Sequence, residues 1–302
     1  MSKVIRIGTR ESQLALWQAN TVKDALEALG HSCQLVLINS KGDQDTTTPL
    51  YELGVTGIFT KTLDAALLSS QIDIAVHSMK DVPTLLPEGI VKAAVLKRGT
   101  HTDVLVYKDL SFLESDGTIA TGSLRRKAQW LNKYPNHNVT GLRGNVNTRL
   151  EKLANNSWDG AIFAKAGLDR INKLPTQHIE LDWMTPAPAQ GAVMVVCRAG
   201  EQRFIEAVAP LNHFETDRCT QIERAFLRLL EGGCSAPIGA LAHCKDNTLF
   251  FKGELLSLDG STKLEVEKQA PLNQAQDLGK RAAQEILDGG GAQLMQQIKS
   301  AL

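Results

Sequence analysis

A run of basic side chains without an acidic neighbour is the part of this sequence best suited to binding chemistry. Between Gly117 and Leu150 there is no Asp or Glu, and the cations are Arg125, Arg126, Lys127, Lys133, Arg143 and Arg149. The whole chain has 33 basic and 33 acidic side chains, so the tract is a local excess of positive charge. Arginine forks pair well with carboxylates and phosphates, which predicts an anionic ligand. A solvated basic face is the alternative interpretation.

A candidate catalytic carboxylate, Asp81, follows an apolar run at 72–76, in the string HSMKDVP at 77–83. Ligands of open α/β sheets bind beyond the carboxyl ends of the strands. A carboxylate placed there could stabilise positive charge developing on a substrate. A turn carboxylate ahead of Val-Pro is an equally open interpretation. We interpret His77 as a packed histidine rather than a base.

Cys234 is the cysteine best placed for covalent chemistry. It stands in EGGCSAP at 231–237, where two glycines and a proline predict an exposed loop. Exposed turn thiols tend to be avoided unless they are used, and no adjacent His or Lys completes a protease-like dyad. The local sequence therefore favours a covalent attachment point over a hydrolytic nucleophile. The remaining cysteines are interpreted as packing residues: Cys33, Cys197, Cys219 and Cys244.

Alternating strands and helices predict two α/β lobes that position these residues. The first lobe has predicted strands at 4–7, 35–38 and 72–76, with helices at 11–29 and 58–69. The second has strands at 104–107, 118–120, 138–140 and 160–163, with helices at 124–133 and 146–154. An apolar strand at 192–197 could rejoin the first sheet, followed by helices at 203–209 and 216–230. Strands at 238–243, 249–256 and 263–268 and a helix at 273–287 then predict a small α+β domain.

The two predicted lobes contain short segments of weak internal sequence similarity. The strings RIGTRES at 6–12 and TIATGS at 118–123 both place Thr and Ser between a strand and a helix. Hydroxyls there would cap the helices and aim their N-terminal amides at an anion. Two such lobes facing each other would form an anion-binding cleft, although two ordinary helix caps explain the pattern equally well.

Bulk properties exclude several classes of protein. The pI near 7.0 argues against a dedicated nucleic-acid binder. The absence of an 18-residue apolar run argues against a membrane span, and the N-terminus reads as a strand rather than a signal peptide. Five cysteines without CxxC spacing indicate a reducing compartment and no metal site. We therefore expect a cytoplasmic protein, and with no apolar or coiled-coil stripe, a monomer.

Six strings, in order along almost the whole chain, together resemble the porphobilinogen deaminase family, also called the hydroxymethylbilane synthases. They are IGTRESQLA at 7–15, HSMKDVP at 77–83, SLRR at 123–126, LRGNV at 142–146, QGA at 190–192 and EGGC at 231–234. The resemblance implies two periplasmic-binding-protein-like lobes with mainly parallel sheets and the active site between them. The implied domains are 1–98 with 192–210, 99–191, and a C-terminal α+β domain at 211–302.

The same resemblance implies a role for each matched residue. It implies a dipyrromethane cofactor joined by a thioether to Cys234, with Asp81 as the catalytic carboxylate. The implied cofactor-binding residues are Ser78, Lys80, Asp81, Thr121, Ser123, Arg125, Arg126, Arg143, Gly144 and Gln190. The implied substrate-binding residues are Arg10, Ser12, Phe59, Arg149 and Arg170. Local pairing with Asp169 is a competing interpretation of Arg170, and Arg149 could pair elsewhere on its helix.

The implied reaction joins four porphobilinogen molecules head to tail, with loss of ammonia, into the linear tetrapyrrole hydroxymethylbilane. Each porphobilinogen carries an acetate and a propionate, so a chain of six rings, counting the two-ring primer, carries twelve carboxylates. A protein that binds such a chain needs many arginines and few acids. The alternative function is a cytosolic two-lobed binding protein for a polycarboxylate, without covalent chemistry, which would need neither Cys234 nor Asp81.

The chain departs from the usual family strings at several positions. Thr56 stands where a lysine is usual and Glu52 where a basic residue is frequent, so loop closure over the substrate is expected to differ. Gly122 replaces a serine and removes one hydroxyl. Ala189 replaces a glycine ahead of Gln190, which is expected to stiffen the hinge.

Overall fold

The computed structural model describes residues 4–39, 60–230 and 236–302. The strands of these residues are β1 (Ile5–Thr9), β2 (Cys33–Leu37), β3 (Ile74–Ser78), β4 (Ile90–Val95), β5 (Asp103–Tyr107), β6 (Thr118–Ala120), β7 (Asn138–Thr140), β8 (Gly160–Ala164), β9 (His178–Glu180), β10 (Val193–Arg198), β11 (Ile238–Lys245), β12 (Thr248–Leu256) and β13 (Lys263–Pro271). Their α-helices are α1 (Gln13–Ala28), α2 (Lys61–Leu68), α3 (Leu124–Lys133), α4 (Val146–Asn155), α5 (Lys165–Arg170), α6 (Gln202–Val208), α7 (Phe214–Leu229), α8 (Leu278–Ile286) and α9 (Ala292–Ala301).

These elements form two compact units. The first unit comprises the described residues 4–39, 60–99 and 191–218, and the second comprises 100–190, 219–230 and 236–302. Each unit contains a five-stranded sheet covered by helices, and the second also contains a three-stranded antiparallel sheet. The predicted fold class, two α/β lobes and a small C-terminal α+β region, is confirmed. The division into three domains stays a prediction.

The sheet of the first unit has the strand order β2-β1-β3-β10-β4. β1 runs parallel to β2 and β3, as the strand–helix alternation predicts. β10 lies between β3 and β4 and runs antiparallel to both, so the predicted return of this strand to the first sheet is confirmed, and the sheet is mixed. Apolar side chains of α1 and the sheet form one core, including Val22, Leu26, Ile7, Ile74 and Val195.

The large sheet of the second unit has the order β7-β6-β8-β5-β9. β6 runs parallel to β7 and β8, whereas β5 runs antiparallel to β8 and β9. The strands are apolar on both faces, and a separate core covers each face. Because β5 is antiparallel to β8, its first residue, Asp103, pairs with the last residue of β8, Ala164.

The C-terminal part of the second unit is an antiparallel meander in the order β11-β12-β13. Its core includes Phe226 of α7, Phe251 of β12 and Val266 of β13, with α8 and α9 contributing further apolar side chains. Gly253 gives the ring of Phe226 the room it needs, since a Cβ there would lie 2.6 Å from that ring.

Four of these elements were not predicted from the sequence: β4, β9, α5 and α9. Lys92 interrupts the apolar pattern of β4, and β9 has only three residues. The glycine run at 289–291 indicates the end of a helix, and Gly290 does adopt a positive φ of 104° there, but α9 begins directly afterwards. Of the helices within residues 4–39, 60–230 and 236–302, none is both long and apolar enough to cross a bilayer.

Candidate active site

The predicted catalytic and binding residues of the first unit lie where two neighbouring parallel strands end. β1 ends at Thr9 and leads through Arg10 to Ser12, the N-cap of α1, whose side chain accepts a hydrogen bond from the amide of Ala15 at 3.4 Å. β3 ends at Ser78 and leads into a 3₁₀ turn, Met79–Asp81. Since the two strands are paired in parallel, their carboxyl ends share one edge of the sheet. This edge therefore carries the carboxylate of Asp81, the hydroxyls of Ser12 and Ser78, and the cationic side chains of Arg10 and Lys80.

A hydrogen bond links α1, the helix that follows β1, to the end of β3. The amide Nε2 of Gln18, a buried residue of α1, donates a hydrogen bond to Oγ of Ser78 at 2.8 Å. His77 is buried, and burial together with the charge of Arg10 lowers its pKa to about 3. A neutral, buried imidazole fits the prediction that His77 is a packed residue. Gln18 was missed because it looks like an ordinary polar residue of an amphipathic helix.

The predicted residues of the second unit also follow parallel strands that end at one edge. Thr121, Ser123 and the Arg125–Arg126 pair follow β6, the Arg143–Arg149 segment follows β7, and α5, which ends at Arg170, follows β8. Ser123 caps α3 through the amide of Arg126 at 3.5 Å, so the predicted hydroxyl cap is confirmed in both lobes. Burial lowers the pKa of Arg170, and the negative charge of Asp169 partly offsets this effect.

The loops after β6 and β7 approach each other closely. A Cβ on Gly122 would lie 2.5 Å from the carbonyl oxygen of Leu142, so this chain has no room there for the serine of the usual family string. Gly144 has a φ of +110°, in the region that favours glycine, and Asn145 then caps α4 through the amide of Thr148 at 3.0 Å. The N-termini of α3 and α4 both lie within the acid-free tract, where they favour an anion.

Two backbone carbonyl oxygens next to the second pair of tract arginines accept hydrogen bonds from basic side chains. Nε of Arg149 donates to the carbonyl oxygen of Gly144 at 2.7 Å. Nζ of Lys152 donates to the carbonyl oxygen of Arg143 at 3.2 Å, and the side chain of Arg143 is itself buried.

The first pair of tract arginines has an acidic partner outside the tract. Nη2 of Arg125 lies 2.8 Å from Oδ2 of Asp103, and Nη2 of Arg126 lies 2.7 Å from Oδ1 of the same carboxylate. All three side chains are buried. Burial disfavours the charged form of Asp103, but the two arginines outweigh that effect and lower its pKa. Sequence reasoning missed Asp103, and the signal that could have found it is an acidic residue that opens an otherwise apolar strand.

The cationic edge of the second unit fits a polycarboxylate such as the dipyrromethane implied by the resemblance. Two buried guanidinium groups share one carboxylate at Asp103, which leaves positive charge in excess. Nε of Arg125 is buried and has no hydrogen-bond partner among the described residues. A bound anion would offset the excess positive charge and accept a hydrogen bond from this nitrogen. The two guanidinium groups therefore suit the acidic side chains of the cofactor. Within residues 4–39, 60–230 and 236–302, no group of three or more His, Cys, Asp or Glu could hold a metal ion.

The segment ahead of Gln190 is anchored by a buried glutamate of α7. Ala189 has a positive φ of 64°, which is strained for a residue other than glycine. Glu223 is fully buried; its Oε2 accepts a hydrogen bond from the amide of Ala189 at 2.6 Å and its Oε1 from the amide of Ala242 at 2.7 Å. Glu223 thus joins the Gln190 segment to β11, another contact that sequence reasoning missed.

Replacing Glu223 with Ala is expected to lower the free energy of unfolding by about 2–5 kcal/mol, since it leaves two buried amides without an acceptor. The measurement is urea denaturation followed by circular dichroism. Glu215, exposed on the same helix, is the matched control, and Glu215→Ala is expected to change stability by less than about 1 kcal/mol. Equal effects at the two positions would contradict the anchoring role of Glu223.

Two predicted site residues, Phe59 and Cys234, lie outside the described residues, as do Glu52 and Thr56. Gln190 is described and buried, and its Nε2 donates to the carbonyl oxygen of His101 at 2.8 Å and to Oδ1 of Asp103 at 2.9 Å. The structure therefore connects Gln190 to the arginine pair, which the sequence alone does not indicate.

Comparisons with known proteins identify the family. The family model described as porphobilinogen deaminase, dipyromethane cofactor binding domain, matches residues 5–206, and the one described as porphobilinogen deaminase, C-terminal domain, matches residues 218–288. The porphobilinogen deaminase of Moorella thermoacetica is 42% identical over 303 residues, covering 98% of this chain and 97% of the relative. That of Syntrophotalea carbinolica is 40% identical over 301 residues, covering 97% and 96%.

Solved structures with similar folds include periplasmic and extracellular binding proteins. A periplasmic binding protein of Salmonella typhimurium with high arginine specificity covers 70% of this chain and 92% of its own, with 12% identity and a TM-score of 0.43. A probable amino-acid ABC transporter extracellular-binding protein of Bacillus subtilis covers 70% and 91%, with 12% identity and a TM-score of 0.44.

The two family models follow each other along the chain in the same order as the strings from which the resemblance was drawn. The relatives match over nearly their full length, and the first family model is that of a cofactor-binding domain, which supports the enzyme hypothesis and not the non-covalent binding protein. This chain belongs to the porphobilinogen deaminase family and has its dipyrromethane cofactor binding domain.

Proposed function

We propose that this protein is a hydroxymethylbilane synthase that joins four porphobilinogen molecules into hydroxymethylbilane on a dipyrromethane primer. The observation that carries the proposal is the excess of buried positive charge at the strand ends of the second unit, within a chain whose family models describe this enzyme. An excess of that kind suits a product that gains two carboxylates with every added ring.

Asp81 is the proposed catalytic residue. Its carboxylate, on the turn after β3, accepts hydrogen bonds from pyrrole N–H groups and stabilises the positive charge that develops as ammonia leaves the substrate. The bound dipyrromethane supplies the ring carbon to which the first porphobilinogen is joined. Ser78, held by Gln18, and Lys80 flank Asp81 and bind the cofactor, while Arg10 and Ser12, from the neighbouring strand end, bind the substrate.

The basic edge of the second unit is proposed to bind the acetate and propionate groups. The cofactor-binding residues on this edge are Thr121, Ser123, Arg125, Arg126, Arg143, Gly144 and Gln190, and the substrate-binding residues are Arg149 and Arg170. Phe59 is proposed to contact the substrate and Cys234 to hold the cofactor through a thioether, on the strength of the family strings alone. We further propose that the protein is a cytoplasmic monomer that binds neither nucleic acid nor membranes.

The experiment that tests the function is a short pulse of porphobilinogen followed by denaturing intact-mass measurement. Successive species, each heavier by one pyrrole unit, are expected, together with release of hydroxymethylbilane. A protein that binds porphobilinogen reversibly, without covalent species and without ammonia release, would contradict the proposal.

Neutralising single arginines of the tract is expected to stop elongation at different stages. Arg143→Met and Arg149→Met should each show a characteristic number of bound rings, or fail to assemble the cofactor, with turnover lower by about 30-fold or more. The reason is that each variant loses a charged partner for particular carboxylates of the growing chain. The readouts are the ladder of intermediate masses and the initial rate.

Lys133→Met is the control for these variants. Lys133 belongs to the same tract but is exposed, with its Nζ 4.4 Å from the centre of the Trp183 ring, so the substitution removes a charge without touching the proposed site. Its ladder and rate are expected to match those of the wild type. If both arginine variants match as well, Arg143 and Arg149 do not bind the growing chain.

A further inference from the structure

Two cysteines of the second unit lie with their sulfur atoms in contact. Sγ of Cys219, on α7, is 3.6 Å from Sγ of Cys244, on β11, and both residues are present as thiols. Their interpretation as packing residues is compatible with their surroundings, because Cys219 belongs to the C-terminal core and Cys244 packs against it. The contact between the sulfurs is an additional feature, since two thiols placed this close together can be joined by oxidation.

A buried hydrogen bond holds the same helix and strand together one helical turn away from the two thiols. Oε1 of Glu223 accepts a hydrogen bond from the amide of Ala242 at 2.7 Å. Glu223 follows Cys219 by four residues, so their side chains share one face of α7, and Ala242 and Cys244 share one face of β11. The contact between the sulfurs is therefore flanked by a second contact between α7 and β11, and does not depend on two isolated side chains alone.

The two thiols differ in their exposure to solvent. Cys219 is buried, with only 4% of its surface exposed, whereas Cys244 is half-buried. A small oxidant dissolved in water therefore meets the sulfur of Cys244 first, with the sulfur of Cys219 held beside it. Redox-sensing sites in proteins have this arrangement, in which an accessible cysteine is oxidised and a neighbouring cysteine resolves the oxidised form.

We propose that Cys219 and Cys244 are a site of reversible oxidation, at which hydrogen peroxide joins the two sulfurs in a disulfide bond. Peroxide transfers one oxygen atom to the sulfur of Cys244, which is oxidised to a sulfenic acid as the O–O bond breaks and water leaves. The sulfur of Cys219 then attacks that of Cys244. The S–S bond forms, the S–O bond breaks, and the departing hydroxide leaves as water with the proton of the Cys219 thiol. One peroxide and two thiols thus give one disulfide and two waters.

The bond requires only a small movement of the side chains. A disulfide bond is about 2.05 Å long, so the two sulfurs must approach each other by about 1.5 Å from their separation of 3.6 Å. The bond would join positions 25 residues apart and enclose the string EGGCSAP, which contains Cys234, in the loop so formed. Closing a loop of that length lowers the entropy of the unfolded chain, so the oxidised protein is expected to melt at a higher temperature than the reduced protein.

The experiment treats the purified full-length protein with hydrogen peroxide, alkylates the remaining thiols and maps the proteolytic peptides without reduction. A linked pair of peptides that contain Cys219 and Cys244 is expected, lighter by two hydrogen atoms than the separate peptides together. Dithiothreitol should separate the pair and restore both thiols. The bridged protein should melt about 5 °C above the reduced protein, measured by circular dichroism.

Cys244→Ala removes the more accessible sulfur, and Cys33→Ala is the matched control. Cys33 is also half-buried, but it lies on β2 of the first unit. The other described cysteine of that unit, Cys197, lies on β10, three strands away in the same sheet and thus about 14 Å distant. Cys33→Ala should form the bridge to the same extent as the wild type. Cys244→Ala should form no bridge, and peroxide should leave its melting temperature unchanged.

A wild-type protein in which Cys219 and Cys244 remain thiols, or are oxidised to sulfinic acids without a linked peptide, would overturn the proposal. A linked pair that forms only after unfolding in urea would overturn it as well, because the native contact would then have no part in the reaction. A bridged protein that melts no higher than the reduced one would show that the native packing does not accommodate the bond. The wild-type protein alone decides these points, and none of the readouts depends on the proposed function.

Discussion

The substitution Asp81→Asn is expected to lower kcat for porphobilinogen by a hundredfold or more, roughly 3–4 kcal/mol of lost transition-state stabilisation. Asn is nearly isosteric with Asp, so the turn after β3 should keep its shape while the negative charge is lost. Asp81 is only half-buried, and the free energy of unfolding should therefore change by less than about 1 kcal/mol. The measurements are initial rates of hydroxymethylbilane formation and urea unfolding of the same preparation.

Asp24→Asn provides the matched control for this variant. Asp24 lies exposed on α1 in the same unit, away from the edge where β1 and β3 end, and its replacement is expected to leave kcat unchanged. If Asp81→Asn keeps more than half of the wild-type activity, catalysis depends on another group and Asp81 is a turn carboxylate.

The substitution Cys234→Ala is expected to abolish covalent cofactor and, with it, turnover. Wild-type protein from a host that makes porphobilinogen should be heavier than its sequence mass by two linked pyrrole units, and Cys234→Ala should have the plain sequence mass. The reason is chemical: a thioether needs a sulfur atom, and Cys234 supplies the only sulfur in the string EGGCSAP.

Cys33→Ala controls for nonspecific thiol modification. Cys33 is half-buried on β2, and burial raises the pKa of its thiol, so it is a poor nucleophile. This variant should keep the added mass and the wild-type rate. Equal masses for wild type and Cys234→Ala would show that the cofactor is not attached there.

Much of the fold could be predicted because periodic apolar runs mark the elements that build it. The helix Leu124–Lys133 and the strands Thr118–Ala120 and Asn138–Thr140 have the predicted bounds. Strand direction could not be predicted in the same way. A buried strand such as β10 is apolar whether its neighbours run parallel or antiparallel to it, so the mixed sheets became clear only from the pairing.

The candidate site was predictable where its chemistry is local. Ser12 and Ser123 cap helices, as their positions between strand and helix indicate. Gln18, Asp103 and Glu223 were missed because each acts on a residue that is distant in the sequence, through a buried contact. The absence of acidic residues in the tract suggested unpaired arginines, whereas β5 supplies the pairing carboxylate from outside it.

The position of β10 between β3 and β4 has a consequence for the order in which the protein can fold. On the ribosome β3 and β4 are made first, yet β4 cannot join the sheet until β10 exists, and residues 100–190 are made in between. During that interval the edge of β3 lacks its native partner, and unpaired edges of apolar strands invite aggregation. Insertion of β10 between β3 and β4 is a long-range step with a high entropic cost. The first lobe contains the N-terminal strand, yet it is completed late in synthesis.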